Sequence, residues 1–262
     1  MKNRIIELFK KKDKNVLSVF YTAGFPALDS TLPIARSLEL AGADIIEIGI
    51  PFSDPVADGP TIQESNKVAL DNGMNLRLLL TQVRDIRAQG VNVPIILMGY
   101  LNPVMQYGIS QFVADASAAG VDGLIIPDMP LFEYESNYRQ LFRDANLCNT
   151  FLISPTTSEE RIRTIDAASN GFIYAVSASS TTGAKGDFTA DQIGYFERLK
   201  KMKLHNPFLI GFGISGNKTF TRASEYSVGA IVGSAFINLL KEAGDREETI
   251  INFVKDLKGE AV

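Results

Sequence analysis

Glu47 stands where a charge is costly. It interrupts the apolar run Ile45-Ile46-Glu47-Ile48-Gly49-Ile50, and a carboxylate buried in such a run must be paired or hydrated. Period-two alternation puts Ile45, Glu47 and Gly49 on one side of a strand and Ile46, Ile48 and Ile50 on the other. Facing inward, Glu47 is a candidate general acid or base. A carboxylate that is merely hydrogen-bonded inside the fold is the competing reading, and position alone leaves both open. The next segment carries Asp54 and Asp58 between the prolines Pro51, Pro55 and Pro60, so it is stiff at intervals. By itself Asp58-Gly59-Pro60 reads first as turn chemistry. An irregular acidic loop directly after a buried strand is nevertheless where function concentrates.

A second constellation lies near the C-terminus, in Gly211-Phe212-Gly213-Ile214-Ser215-Gly216 and in Gly233-Ser234. The first stretch formally matches G-x-G-x-x-G, but a dinucleotide fold wants that motif in its first strand-to-helix turn with an acidic residue about 20 positions on. Glycines after late strands have another use: they let backbone N–H donors approach a phosphate at a helix start. Gly213, Gly233 and Ser234 fit that role, Thr182-Gly183 would add donors, and Gly216 reads as a tight turn. The stretch Ser177–Asp187 is small, polar and long, which favours a lid over a solvated connector. His205 and Cys148 are the only residues of their types, so multi-His and Cys-based metal sites and internal disulfides are excluded. His205 precedes a strand and Cys148 begins one; both read as structural.

The elements that must position these groups are legible as periodicity. Short apolar runs recur at 16–22, 44–50, 94–100, 123–128, 149–154, 171–177, 207–211 and 229–233, each of the kind buried on both faces. Helical spacing fills the intervals at 32–41, 76–88, 109–119, 134–145, 159–168 and 191–202. Strand alternating with helix means a parallel sheet. Eight units within 262 residues match a single-domain α/β (β/α)8 TIM barrel, with an open doubly wound sheet as the alternative. Residues 1–14 are expected to form an N-terminal helix with Ile5, Ile6, Leu8 and Phe9 inward, and residues 16–258 the barrel. In such a barrel the strand C-termini carry the chemistry. Composition agrees: 45% hydrophobic, 21% charged and a net charge of −4, without the basic excess of a nucleic-acid binder. No apolar run is long enough to span a membrane, and no signal-like stretch follows the basic start, so a cytoplasmic location is expected. The sum is a barrel that binds a phosphorylated compound and works by proton transfer.

The stretch Glu47-Ile-Gly-Ile-Pro-Phe-Ser-Asp-Pro-Val-Ala-Asp-Gly-Pro-Thr-Ile-Gln63 closely resembles the signature of the tryptophan synthase α-subunit family. The segments 20–26, 98–103, 126–130 and 211–215, with Tyr174 and Gly233-Ser234, agree in order and spacing, so the resemblance spans essentially the whole chain. It implies a retro-aldol cleavage of indole-3-glycerol phosphate to indole and glyceraldehyde 3-phosphate. Glu47 would be the acid/base and Asp58 the group that accepts the indole N–H. Phe20, Tyr100, Ile125, Ile153 and Tyr174 match the family's indole pocket, Thr182 its lid, and Gly183, Gly213, Gly233 and Ser234 its phosphate site. It further implies no cofactor in this subunit and a β-subunit partner that holds pyridoxal phosphate, in an α2β2 complex. The chain departs from the family at 177–183, where many members carry Ser-Arg-x-Gly-Val-Thr-Gly and this chain has Ala178 in place of the Arg. Competing functions are indole-glycerol-phosphate synthase, which needs lysines in its strands where this chain has none, an activating subunit of weak activity, and a free-standing indole producer.

Overall fold

The apolar runs become strands of one parallel sheet, the fifth divided in two, and the periodic stretches become helices laid outside it, the one at 134–145 beginning as a π-helical turn. The computed structural model describes residues 3–177 and 188–260. The chain runs through α1 (Arg4–Lys11), β1 (Val16–Thr22), α2 (Thr31–Leu40), β2 (Ile45–Gly49), α3 (Pro60–Asp71), α4 (Leu76–Ala88), β3 (Ile95–Met98), α5 (Leu101–Tyr107), α6 (Ile109–Ala119) and β4 (Gly123–Ile125). It continues with α7 (Leu131–Glu133), a π-helical turn (Tyr134–Tyr138), α8 (Arg139–Asp144), β5 (Cys148–Thr150), β6 (Leu152–Ile153), α9 (Glu159–Ala168) and β7 (Ile173–Val176). Then come α10 (Ala190–Met202), β8 (Phe208–Gly211), α11 (Asn217–Ser224), β9 (Gly229–Val232), α12 (Ser234–Ala243) and α13 (Glu247–Lys258).

The strand order is β5-β4-β3-β2-β1-β9-β8-β7-β6. The expected fifth run, 149–154, is divided at Phe151 because its two halves bind opposite neighbours. Cys148–Thr150 pairs with β4, Leu152–Ile153 pairs with β7, and the Phe151 carbonyl accepts from Tyr174 N at 3.0 Å. Joined through Phe151, the ends of the sheet meet, and the architecture is a single-domain (β/α)8 barrel. Its interior holds Val16, Ile45, Ile96, Ile125, Leu209 and Ile231. The opposite faces of the same strands, Leu17, Val19, Ile46 and Ile48 among them, pack with the helices as the outer core.

The N-terminal helix closes the bottom of the barrel. The Asn3 side chain caps it, accepting from Ile5 N at 2.9 Å and donating to the Asp122 and Asn146 carbonyls. Ile5 enters the interior cluster, where Gly123 makes room: a Cβ there would lie 2.8 Å from Ile5 Cδ1. Leu8 and Phe9 follow on the same face, but Ile6 is exposed, contrary to the expectation that it faces inward. Leu8 and Phe9 lie within about 60° of Ile5 around the helix, on either side of it, whereas Ile6 lies about 100° away and so leaves that face. Just above, the Asp122 carboxylate takes Arg87 at 2.6 Å and Arg4 at 3.0 Å, tying α4 and α1 to the start of β4. Ile5→Ala is therefore expected to lower unfolding free energy by about 3 kcal/mol through the cavity it leaves. Urea denaturation measures this; a loss below about 1 kcal/mol would show that the helix does not seal the core. Among the described residues no helix is long and apolar enough to cross a membrane.

Candidate active site

The barrel turns the alternation of β2 into a site. Ile45 points into the interior, Ile46 and Ile48 into the helix layer, and Glu47, 0% exposed, lies inward with Ile45. The Ser18 hydroxyl donates to Glu47 Oε1 at 2.6 Å, while Oε2 is buried without a partner among the described residues. Burial pushes the Glu47 carboxyl up to about 7, and the Ser18 hydrogen bond opposes that rise. Glu47 pairs in register with Phe20 on β1. The Phe20 ring lies across Gly49, where a Cβ would come within 2.6 Å of Phe20 Cζ, so glycine is needed for the ring to settle there.

Asp58 is not simply a turn residue. Tyr100, directly after β3, donates its hydroxyl to Asp58 Oδ2 at 2.9 Å and accepts Ala57 N–H at 3.0 Å. Gln63 Nε2 donates to the Asp58 carbonyl at 2.8 Å, and the Phe52 ring packs 5.4 Å from the Tyr100 ring. The loop after β2 is thereby hung from a phenol on the barrel rim. Burial raises the Asp58 carboxyl above the ordinary aspartate range, with the Tyr100 hydrogen bond working against it.

Asp58 and Tyr100 line a cleft together with Phe20, Ile62, Met98 and Pro127. Ile125 and Tyr174 belong to the barrel interior beneath it. The Tyr174 phenol is raised by burial and then by the charges of Glu47 and Asp58, so it feels both carboxylates. Gly211 makes space for it, since a Cβ there would run into the phenol.

Ile153 does not join this group. It pairs with Ala175 and packs in the outer core, whereas Leu152 pairs with Tyr174 and contacts the interior. The expectation that Ile153 faces the pocket is not met: Leu152 is the inward residue of this strand, as alternation from inward-facing Cys148 requires. Gly213 follows β8 with φ +77, and Gly233 follows β9 as the N-terminal residue bounding α12, whose first residue is Ser234. Strands β8 and β9 are neighbours, so these backbone donors rise from adjacent strand ends. Thr182, Gly183 and Ala178, with nearly all of the expected lid, lie outside the described residues. His205 sits exposed before β8, at the opposite end of the barrel.

Ser18, Met98, Ile62 and Leu152 were not marked by their sequence. For Ser18 a signal existed: alternation along Val16-Leu17-Ser18-Val19-Phe20 puts a hydroxyl into an apolar interior, the same anomaly that marks Glu47.

Residues 6–261 match the family described as Tryptophan synthase alpha chain. Curated proteins of that name from Flavobacterium psychrophilum and Parabacteroides distasonis are each 50% identical, over 97% and 98% of this chain and 99% of theirs. A crystal structure of the tryptophan synthase alpha chain from Legionella pneumophila superposes with a TM-score of 0.88 at 33% identity, covering 99% of this chain and 97% of that one. A chain of the tryptophan synthase complex from Pyrococcus furiosus gives 0.85 at 34% identity, covering 95% and 99%.

Proposed function

This chain belongs to the tryptophan synthase alpha chain family, and from that premise we propose how its own residues perform the family's carbon–carbon lyase reaction, cleavage of indole-3-glycerol phosphate. Glu47 enters as the carboxylic acid and gives its proton to indole C3. The ring nitrogen takes up the positive charge, which the Asp58 carboxylate stabilises by accepting the N–H. The Glu47 carboxylate then takes the proton of the glycerol hydroxyl next to C3. The C–C electrons return to the ring, indole and glyceraldehyde 3-phosphate leave, and Glu47 is protonated again. The observation that carries this reading is a fully buried glutamate, pushed to about 7, below a cleft that holds a second carboxylate. A group near the working pH can both give and take a proton. The atoms balance without a cofactor in this chain.

Phe20, Tyr100, Ile125, Leu152 and Tyr174 supply the apolar walls for the ring, and Thr182 is a further substrate contact that the family resemblance implies. Backbone N–H groups at Gly183, Gly213, Gly233 and Ser234 take the phosphate, where the α12 N-terminus favours an anion. Ser234→Asp sets a like charge against that dianion and is expected to raise KM at least about tenfold while kcat changes less. Equal affinity for phosphorylated and dephosphorylated substrate would remove the phosphate site.

The reading extends to a tryptophan synthase β subunit as partner, in an α2β2 complex where pyridoxal phosphate belongs to the β chain. In support, Val56, Met105 and Phe132 are 84%, 59% and 76% exposed on the segments after the neighbouring strands β2, β3 and β4. An apolar rim of this kind suits docking of a second protein over the site's mouth. A cytoplasmic setting fits the lone free Cys148, buried and with its thiol pushed up to about 12 by burial. Indole release from indole-3-glycerol phosphate, measured with and without β subunit, tests the whole. No release in either condition refutes the lyase assignment.

A further inference from the structure

Glu47 has two oxygens in different surroundings. Oε1 receives the Ser18 hydroxyl, and Oε2 is buried with no partner among the described residues. Ser18 is itself 0% exposed on β1, and its register partner on β2 is Ile45, one inward position before Glu47. The hydrogen bond therefore draws Oε1 down the barrel axis, toward the closed end. Gly49, the next inward position of the strand, already lines the cleft, so the oxygen left free is the one on the cleft's side of the Ser18 bond.

We propose that Ser18 is a positioning residue for the cleavage: it seats Oε1, reserves Oε2 as the oxygen that exchanges the proton with substrate, and stabilises the carboxylate that forms once that proton has left. The proposal rests on Glu47 being the acid/base. Its physical basis is preorganisation. The donor is fixed before the charge appears, and both side chains are fully buried, where a hydrogen bond to a charged oxygen counts for more than in solvent. Ser18 makes no covalent change. The proton travels from Oε2 to C3 and returns to Oε2 from the glycerol hydroxyl.

Among the described residues, the phenols and the thiol of the interior and its rim do not ionise together with Glu47. The Tyr174 phenol on β7 and the Cys148 thiol on β5 are both pushed upward by burial, so they stay neutral through the working range. Tyr100 beyond β3 is likewise raised. Asp58, the remaining carboxyl over the interior, titrates from the acid side and must be charged to act.

The reaction needs Glu47 protonated at the start, so the alkaline limb of the rate profile follows its ionisation. Losing the Ser18 donor disfavours the carboxylate. Ser18→Ala is expected to move that limb upward by about one pH unit and to lower the plateau kcat by about tenfold, leaving KM unchanged. Ser18→Thr keeps a hydroxyl and is expected to restore both. A second readout does not depend on turnover: the 13C chemical shift of the Glu47 side-chain carboxyl, assigned by its loss in Glu47→Gln, titrated in wild type, Ser18→Ala and Ser18→Thr. An upward shift of both the carboxyl titration and the rate limb in Ser18→Ala, reversed by Thr, supports the proposal. A carboxyl titration that does not move overturns it. So does a carboxyl that moves while the rate profile stays put, provided Glu47→Gln is inactive. If Glu47→Gln retains activity, the failure lies with Glu47 as acid/base, and the proposal falls with it.

Discussion

Glu47→Gln is expected to lower indole release by about 10²–10⁴-fold while the protein stays folded. Glutamine has nearly the shape of glutamic acid, and its oxygen still accepts from the Ser18 hydroxyl. It cannot deliver a proton to C3 or take one from the glycerol hydroxyl, so both halves of the cleavage lose their carrier. KM is expected to change little, because Glu47 is not one of the side chains that line the cleft. A purified variant with more than a few per cent of wild-type turnover would remove Glu47 from the mechanism.

The same substitution carries a stability signature of opposite sign. The Glu47 carboxyl is raised from 4.5 to about 7 on folding. Between those values the native state binds more protons than the unfolded chain, so the Glu47 contribution to stability falls as pH rises through that window and is flat above it. At pH 8 the wild type bears the full cost of ionising a buried carboxyl, about 3 kcal/mol at 1.36 kcal/mol per unit. Glutamine has no such cost. Relative to wild type, the variant is expected to gain about 3 kcal/mol between pH 4.5 and 8, read as a difference between denaturation curves at the two pH values. A difference independent of pH would place the Glu47 ionisation outside that window. Activity and stability thus oppose each other at one residue, as they do where a site holds a charge that the fold alone would not choose.

What could be read in the sequence was what depends on one segment at a time. β1 is bounded as the apolar run 16–22 implies, because alternation and run length are local properties. Glu47 stood out for the same reason. The errors were failures of phase. Ile6 lies one residue off the buried face of α1, and Ile153 one residue off the inward face of its strand. In each case the periodicity, applied strictly, gives the observed side. What belongs to pairs of segments is carried by neither segment alone. Ser18 matters only because the β1–β2 register sets it beside Glu47, 29 positions away. Asp58 looks like a turn until Tyr100, 42 positions on, is found holding it. Register and loop anchoring are set by the closed sheet as a whole, which no single run encodes.

Asp58→Asn is expected to lower kcat by about 10²–10³-fold with a smaller change in KM. Asparagine keeps an oxygen for the Tyr100 hydroxyl, so the loop has reason to stay where it is. What disappears is the negative charge that meets the ring nitrogen when C3 has been protonated, and that charge is needed in the transition state more than in the bound substrate. Weaker binding with unchanged turnover would make Asp58 a binding or turn residue instead. Tyr100→Phe separates charge from placement. It leaves the carboxylate but takes away the donor to Oδ2 and the acceptor for Ala57 N–H. Because the Tyr100 bond holds the Asp58 carboxyl down against burial, its loss raises Asp58 further, and the acid limb of the rate profile moves upward. The two carboxylates are required in opposite states, Asp58 ionised and Glu47 protonated, so turnover is confined to the interval between their titrations. Tyr100 sets the lower edge of that interval and Ser18 the upper. Tyr100→Phe should narrow it from below, Ser18→Ala should extend it above, and in the double variant the two limbs should move independently. Coupled movement of both limbs would mean that the carboxylates titrate as one unit and that the assignment of one limb to each does not hold.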